Sequence, residues 1–189
     1  DLGHNIIGLC DVDQRSIEKA YNNSRGGAVF KEVIDSAVSK GAKWFKDYRV
    51  MFEKIGDKLD GVVVSIPDHM HFPVAMSAVN LGINVYCEKP LTHTVEEARM
   101  LAAGARKKGV VTQMGNQGHS NEGVRLAKEW IAAGVIGQVR EVYSWTNRPV
   151  WPQGLKKPSH KEFVPVIPKG LNWDLWLGVA PKRAYDSAY

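Results

Sequence analysis

The chain has 189 residues, 44% hydrophobic, 24% charged and 9% aromatic, with a net charge of +5. That composition supplies ample apolar material for a core and excludes a disordered tail. No apolar run approaches the ~20 residues that cross a bilayer, and the basic residues lie in short clusters such as Arg106-Lys107-Lys108 and Lys156-Lys157, not in the stripe with stacking aromatics that nucleic-acid binding requires.

The length allows one domain, or one domain plus part of another. The chain opens Asp1-Leu2-Gly3 without Met, enters a strand-like segment almost at once and stops at Tyr189 without a closing signal, so it reads as a piece of a longer protein. No basic stretch followed by an apolar one opens it. Cys10 and Cys87 each end an apolar run and read as buried free thiols, not as a disulfide scaffold.

Strands and helices alternate through the first two-thirds. Asn5 to Cys10 is a short apolar run followed by Asp11 and Asp13. Trp44-Phe45 marks a second strand, and Gly61 to Ile66, almost wholly apolar, reads as a strand buried on both faces. Ile83 to Cys87 and Val110 to Met114 are two more. Asp68 is placed to cap a helix carrying Val74, Ala75, Ala78 and Val79, closed by Gly82. Thr94-Val95-Glu96-Glu97 is a capping box before a helix that stops at Gly109. This alternation predicts an α/β fold of βαβ units, a parallel sheet with helices on both faces.

The pattern changes near residue 117. One helix carries Val124, Ala127, Trp130 and Ile131 on a face, with Gly134 after it, and Val139 to Thr146 reads as a longer, half-exposed strand. Five of the nine prolines fall between Asn147 and Gly170, a density that excludes regular elements. Asn172 to Leu177 reads as a short helix. The pattern places a domain boundary near 117, dividing the chain into 1–117 and 118–189.

The residues with chemical potential sit at strand ends. Asp11, closing an early strand, suits the two ribose hydroxyls of a dinucleotide and would repel a 2′-phosphate; the plainer reading is that it merely ends the strand. Arg15 complicates the choice, because an Arg there could accommodate that phosphate. No G-x-G-x-x-G turn precedes Asp11 or occurs elsewhere in the chain. Ser65-Ile66-Pro67-Asp68-His69-Met70-His71 leaves a strand at its carboxyl end, where open α/β sheets bind ligands. His69-x-His71 lacks a third ligand nearby, so no metal is assigned and local hydrogen bonding is preferred. Cys87-Glu88-Lys89-Pro90-Leu91 leaves the next strand in the same way. Lys89 could hydrogen-bond a substrate hydroxyl or shuttle its proton, or could belong to a surface ion pair.

Pro67-x-x-x-His71 with Glu88-Lys89-Pro90-Leu91, the strand ending at Asp11 and the segment Gly115-Asn116-Gln117-Gly118-His119-Ser120 resemble the glucose–fructose oxidoreductase / inositol dehydrogenase / rhizopine catabolism (Gfo/Idh/MocA) family. Trp173-Asp174-Leu175-Trp176-Leu177-Gly178 is similar to a second-domain segment of one branch, many of whose members carry a twin-arginine export signal. The resemblance implies that 1–117 is a partial Rossmann-type, dinucleotide-binding domain, incomplete at its N-terminus, that binds NAD, with NADP as the alternative, and that 118–189 begins an α+β substrate domain with a mostly antiparallel sheet. Asp11 would hold the adenosine ribose, and Ser65, Pro67 and His71 would line the cofactor. Glu88 would contact the nicotinamide ribose region, and Lys89 would face the nicotinamide and the reacting carbinol as the catalytic residue. Asn116 and Gln117 would close the nicotinamide side.

The family's second-domain acid/base histidine has no counterpart before Tyr189, and neither His119 nor His160 fills its place. The implied reaction is hydride transfer to or from a sugar, polyol or related alcohol by a full-length homo-oligomer, with no nucleic-acid or membrane partner. The compartment, cytoplasm or periplasm, stays open. Alternatives are an NAD-dependent glycoside-cleaving enzyme that oxidises its sugar transiently, and a non-catalytic nucleotide or sugar binder. The 189 residues alone are expected to bind NAD weakly or not at all. Among the clustered tryptophans, Trp173 and Trp176 share a helix face and suit core packing, whereas Trp151, in Pro-Val-Trp-Pro, is the candidate for stacking on a sugar.

Overall fold

A computed structural model of the chain describes residues 3–16, 27–146 and 166–186. They fall into two units, Asp1–Met114 with Val166–Tyr185, and Gly115–Pro165 with Asp186–Tyr189. The stretch Val166–Tyr185 groups with the first unit.

In chain order the elements are β1 (Gly8–Cys10), α1 (Gly27–Ser39), β2 (Lys43–Phe45), α2 (Tyr48–Ile55), β3 (Gly61–Val64), α3 (His71–Asn80), β4 (Asn84–Glu88), α4 (Val95–Lys108) and β5 (Thr112–Gly115), then α5 (Glu122–Ala132) and α6 (Trp173–Leu177). β1 pairs with β2 in parallel, Gly8 opposite Lys43 and Cys10 opposite Phe45. β3 pairs with β4 in parallel, Gly61 opposite Asn84 and Val64 opposite Cys87, and β5 lies on the far side of β4. This is the parallel α/β architecture that the strand–helix alternation predicts.

The core forms where α2, α3 and α4 meet the strands. Val74, Ala75, Ala78 and Val79 of α3 are buried against Val64, Val85 and Cys87, with Met51, Phe52 and Ile55 of α2 and Leu101 of α4 in the same cluster. Full burial of a Val, Leu or Ile side chain contributes roughly 1.5–3 kcal/mol, so this patch dominates the stability of the unit. Gly104 lets α4 approach α3: a Cβ there would lie 2.8 Å from the Met76 methyl. α4 begins at the expected capping box, Thr94 Oγ1 accepting from the Glu97 N–H while the Glu97 carboxylate accepts from the Thr94 N–H, and ends at Gly109 in the left-handed region at φ +69°.

Three expectations are corrected. Alternate residues of β3 face opposite ways, and Val63 is 71% exposed, so the strand is buried on one face; α3 and α4 both lie on that face, and no described element covers the other. α3 starts at His71 behind a 3₁₀ turn, Asp68–Met70, and Asp68 makes no side-chain cap. Val139–Thr146 is not a strand: its residues are exposed, and no described segment pairs with them to complete a ladder. α5 forms where its periodicity places it, with Gly134 at φ +74° beyond its end, but Val124, Trp130 and Ile131 are exposed. No helix among the described residues is long and apolar enough to cross a membrane.

Residues 166–185 form a strap across the first unit. Asp13 and Leu171 form an antiparallel bridge, and the Asn172 N–H donates to the Val12 carbonyl at 2.9 Å. α6 is capped by Asn172, whose Oδ1 accepts from the Leu175 N–H. Trp173 is buried and stacks on Trp176 with ring centres 4.8 Å apart, donates its Nε1–H to the Arg183 carbonyl and meets Tyr185 edge-on. Gly178 ends α6 at φ +54°, ψ −111°, where a Cβ would lie 2.1 Å from the Met70 sulfur.

Gly178→Ala should lower unfolding stability by about 2 kcal/mol, from backbone strain of ~1–3 kcal/mol plus the clash with Met70. Gly104→Ala should be nearly neutral, because a helix-propensity gain of up to ~1 kcal/mol offsets displacement of a flexible Met76 end. Urea denaturation of both variants checks this, and equal effects would show that the α6 turn is unconstrained.

Candidate active site

In each of the two parallel sheets, β1-β2 and β3-β4-β5, the residues that follow the strands fall at one edge. Asp11 follows β1, Ser65 follows β3, Lys89 follows β4 and Asn116 follows β5. Each is the first residue beyond its strand, where ligands of open α/β sheets bind; the Asp11 N–H still reaches the Phe45 carbonyl of β2 at 3.1 Å.

Two ties hold the first three turns together. The strap joins the turns after β1 and β3: Asn172 bonds Val12, and four residues later the Trp176 carbonyl meets His69 Nε2 at 2.9 Å. Four helical residues rise only ~6 Å, so the strap brings these turns side by side. The His69 and Trp176 rings also touch, with centres 5.5 Å apart. The second tie is His71, whose Nε2 lies 2.8 Å from the Ile66 carbonyl and whose Nδ1 lies 2.5 Å from the Pro90 carbonyl. It joins the turn after β3 to the turn after β4.

Asp11 is half-buried, and one carboxylate oxygen accepts the Asp13 N–H at 2.8 Å. Burial pushes its carboxyl above the usual range, against the Asp13 and Val12 N–H groups, which lower it; the Asp13 charge adds to the rise. Asp13 accepts the Arg15 N–H at 2.9 Å and also holds the guanidinium through two nitrogens, Nε at 2.9 Å and Nη2 at 2.7 Å. Arg15, the sequence's candidate for a 2′-phosphate, is thus committed to Asp13.

Ser65 and Pro67 are exposed on the turn after β3. Glu88 is half-buried as the last residue of β4. Lys89 is exposed and, among the described residues, makes no hydrogen bond or ion pair, so the surface ion pair weighed for it is not formed there; the Lys89–Pro90 peptide is cis. Asn116 and Gln117 are exposed and belong to the second unit. Trp151 and His160 lie outside the described residues. Cys10 and Cys87 are free, and burial foremost pushes each thiol up to about 11, so neither is a ready nucleophile.

His71 differs from its sequence reading. The resemblance sets it against the cofactor, but its ring is 1% exposed and both nitrogens face carbonyls. No polar edge remains for a ligand, and the ring bears on the edge through the two turns it joins. The strap was not legible as part of the site: its partners are 107 residues apart in the His69–Trp176 contact, and no local pattern reports such a distance.

Parallel strands joined by helices, in the orders β1-β2 and β3-β4-β5, define an α/β fold of Rossmann type. Residues 2–116 match the oxidoreductase family described as having an NAD-binding Rossmann fold, and the chain belongs to it: this is a member of the Gfo/Idh/MocA oxidoreductases. It is 36% identical over 140 residues to 1,5-anhydro-D-fructose reductase of Ensifer adhaerens, covering 70% of this chain and 41% of that protein. It is 31% identical over 141 residues to inositol 2-dehydrogenase of Salmonella paratyphi B, covering 70% and 42%. A crystal structure of an NAD-binding oxidoreductase from Klebsiella pneumoniae is similar at TM-score 0.51 and 30% identity, covering 70% of this chain and 31% of that one. The chain spans less than half the length of these relatives.

The raised Asp11 carboxyl has a consequence for stability. A group raised on folding favours the fold when protonated and loses that contribution as pH rises through its folded value. Asp11→Asn keeps the acceptor for the Asp13 N–H without the buried charge. It should therefore be more stable than the parent at pH 7, and the difference should vanish below the ordinary aspartate range. Chemical denaturation at pH 7 and pH 3 checks this; a gain that persists at pH 3 would refute it.

Proposed function

We propose that the protein containing this chain is an NAD-dependent oxidoreductase acting on a carbohydrate-like alcohol, a sugar, polyol or derivative. The observation that carries the reading is Lys89: a cation with no internal partner among the described residues, immediately past β4, beside two other strand ends tied to it. In this reading residues 1–117 belong to the cofactor domain and 118–189 open the substrate domain, whose strap reaches back over the first unit. The named relatives, a reductase and a dehydrogenase, favour net redox chemistry over glycoside cleavage or binding alone.

The chain's residues fit such a cofactor. Asp11 presents a half-buried carboxylate, an acceptor for ribose hydroxyls, and its backbone donors preorganise it. Ser65 and Pro67 are exposed on the turn after β3, and Glu88 is half-buried at the end of β4, polar and apolar groups that would line the cofactor; Asn116 and Gln117 are the residues proposed to close its nicotinamide side. Bound NAD would supply the hydride acceptor or donor. Lys89 would bind the substrate hydroxyl, orient the carbinol and take or return its proton. Trp151 would offer an apolar face to the sugar.

NAD is preferred over NADP because Asp13 occupies the Arg15 guanidinium, leaving two carboxylates at the proposed ribose position. Asp13→Ala in the complete protein should free Arg15 and raise the NADP:NAD ratio of kcat/KM about tenfold, a like-charge penalty removed. An unchanged ratio would place the ribose elsewhere.

Lys89→Met tests the central assignment. In the complete protein, turnover should fall by ~10²–10⁴, the range of a lost general acid–base group, while NAD affinity measured by calorimetry stays the same. Unaltered turnover would remove Lys89 from the chemistry.

A further inference from the structure

We propose that His71 is a positioning residue for Lys89, acting through the Pro90 carbonyl; the proposal rests on the reading of Lys89 above. Among the described residues His71 is the only polar side chain in the buried class. An imidazole in that position costs free energy unless its polar atoms are satisfied, and a Phe of similar volume would pack there without that cost. What the ring adds is the pair of contacts, 2.8 Å to the Ile66 carbonyl and 2.5 Å to the Pro90 carbonyl.

The two carbonyls hold equivalent places. Ile66 lies two residues beyond the end of β3 at Val64, and Pro90 two residues beyond the end of β4 at Glu88. The last rung of the ladder pairs Val64 with Cys87. Past it the two chains have no mutual backbone bonds in the ladder, and the His71 ring replaces the missing rung. A carbonyl only accepts, so each contact is a hydrogen bond when its nitrogen carries hydrogen: one of the two in the neutral ring, both in the imidazolium.

Lys89 stands between the final residue of β4 and the tethered Pro90. Its side chain makes no hydrogen bond or ion pair among the described residues, so its aim depends on its backbone. That backbone is held on one side by the sheet and on the other by His71. Loss of the second anchor leaves the cation on a hinge, and small misplacements at a reacting centre are costly.

Conservative variants separate the two contacts. The amide nitrogen of Asn falls near the place of Nδ1 and can still donate to Pro90; that of Gln falls near Nε2 and can still donate to Ile66. In the complete protein, kcat of His71→Gln should fall ~10–100-fold, with NAD affinity within about threefold of the parent, and His71→Asn should keep kcat within about threefold. In a Lys89→Met background, His71→Gln should cause no further loss, because a residue acting through Lys89 has nothing left to position. Four results would overturn the proposal: parental kcat in His71→Gln, equal losses in Asn and Gln, a full additional loss in the Lys89→Met background, or loss of cooperative melting in both variants, which would make His71 a general fold residue. Parental activity of Lys89→Met alone would instead defeat the underlying reading of Lys89, whatever the His71 variants do.

Discussion

A parallel ladder ends abruptly. Its strands run the same way, so their last carbonyls and the turns that follow are gathered at one edge with no further strand pairing to satisfy them. The same geometry that makes this edge useful to a ligand leaves it poorly held. In this chain the turns after β1, β3 and β4 are held by groups from outside the ladder: the strap residues Asn172 and Trp176, and the His71 ring. The rest of the first unit, from the alanine-faced α3 to the close approach at Gly104, sets the strands at the spacing these ties require.

The ties differ in kind. The strap is a backbone device: a one-rung bridge at Asp13 and Leu171, the Asn172 bond to Val12, and a short helix anchored by the Trp173–Trp176 stack. It adds polar partners where the sheet has none and an aromatic surface against His69. His71 is a single side chain fixed by complete burial at the first turn of α3. Its element is part of the core, so any movement of the Pro90 turn is resisted by the packing of that helix. The edge is therefore rigid where it meets the core and dependent on a distant segment where it does not.

Much of this was legible from residues alone. The apolar run at β3, the capping box at Thr94 and Glu97, the Gly109 stop and the short helix behind Asn172 are local signals with local causes, and they appear where they were read. The Asp11, Ser65 and Lys89 positions follow from one rule about strand ends. What was not legible is everything settled by contact across long separations. The one-sided burial of β3 depends on which elements cover each face, not on the composition of Gly61–Val64. The alternation in Val139–Thr146 describes a face for a sheet, and a sheet needs a partner that no window of eight residues contains. The internal use of both His71 nitrogens follows from the positions of Ile66 and Pro90, one of them 19 residues away, and a histidine in a motif looks the same whether its ring faces a ligand or the backbone.

Asp11 and His71 show opposite relations between the edge and the stability of the fold. The Asp11 carboxylate is raised by its own burial, so its charge at neutral pH works against folding; two backbone N–H groups offset part of that cost. In the function proposed above, that charge serves as an acceptor for ribose hydroxyls. The His71 ring does the reverse. Its polar atoms are buried and spanned by carbonyls, and the contacts that satisfy them also hold the turn bearing Lys89. Selection for a stable fold would thus keep His71 and tend to remove the charge at Asp11, whereas selection for a working edge keeps both. Under the proposed function, the two residues together answer to a ligand as well as to the core.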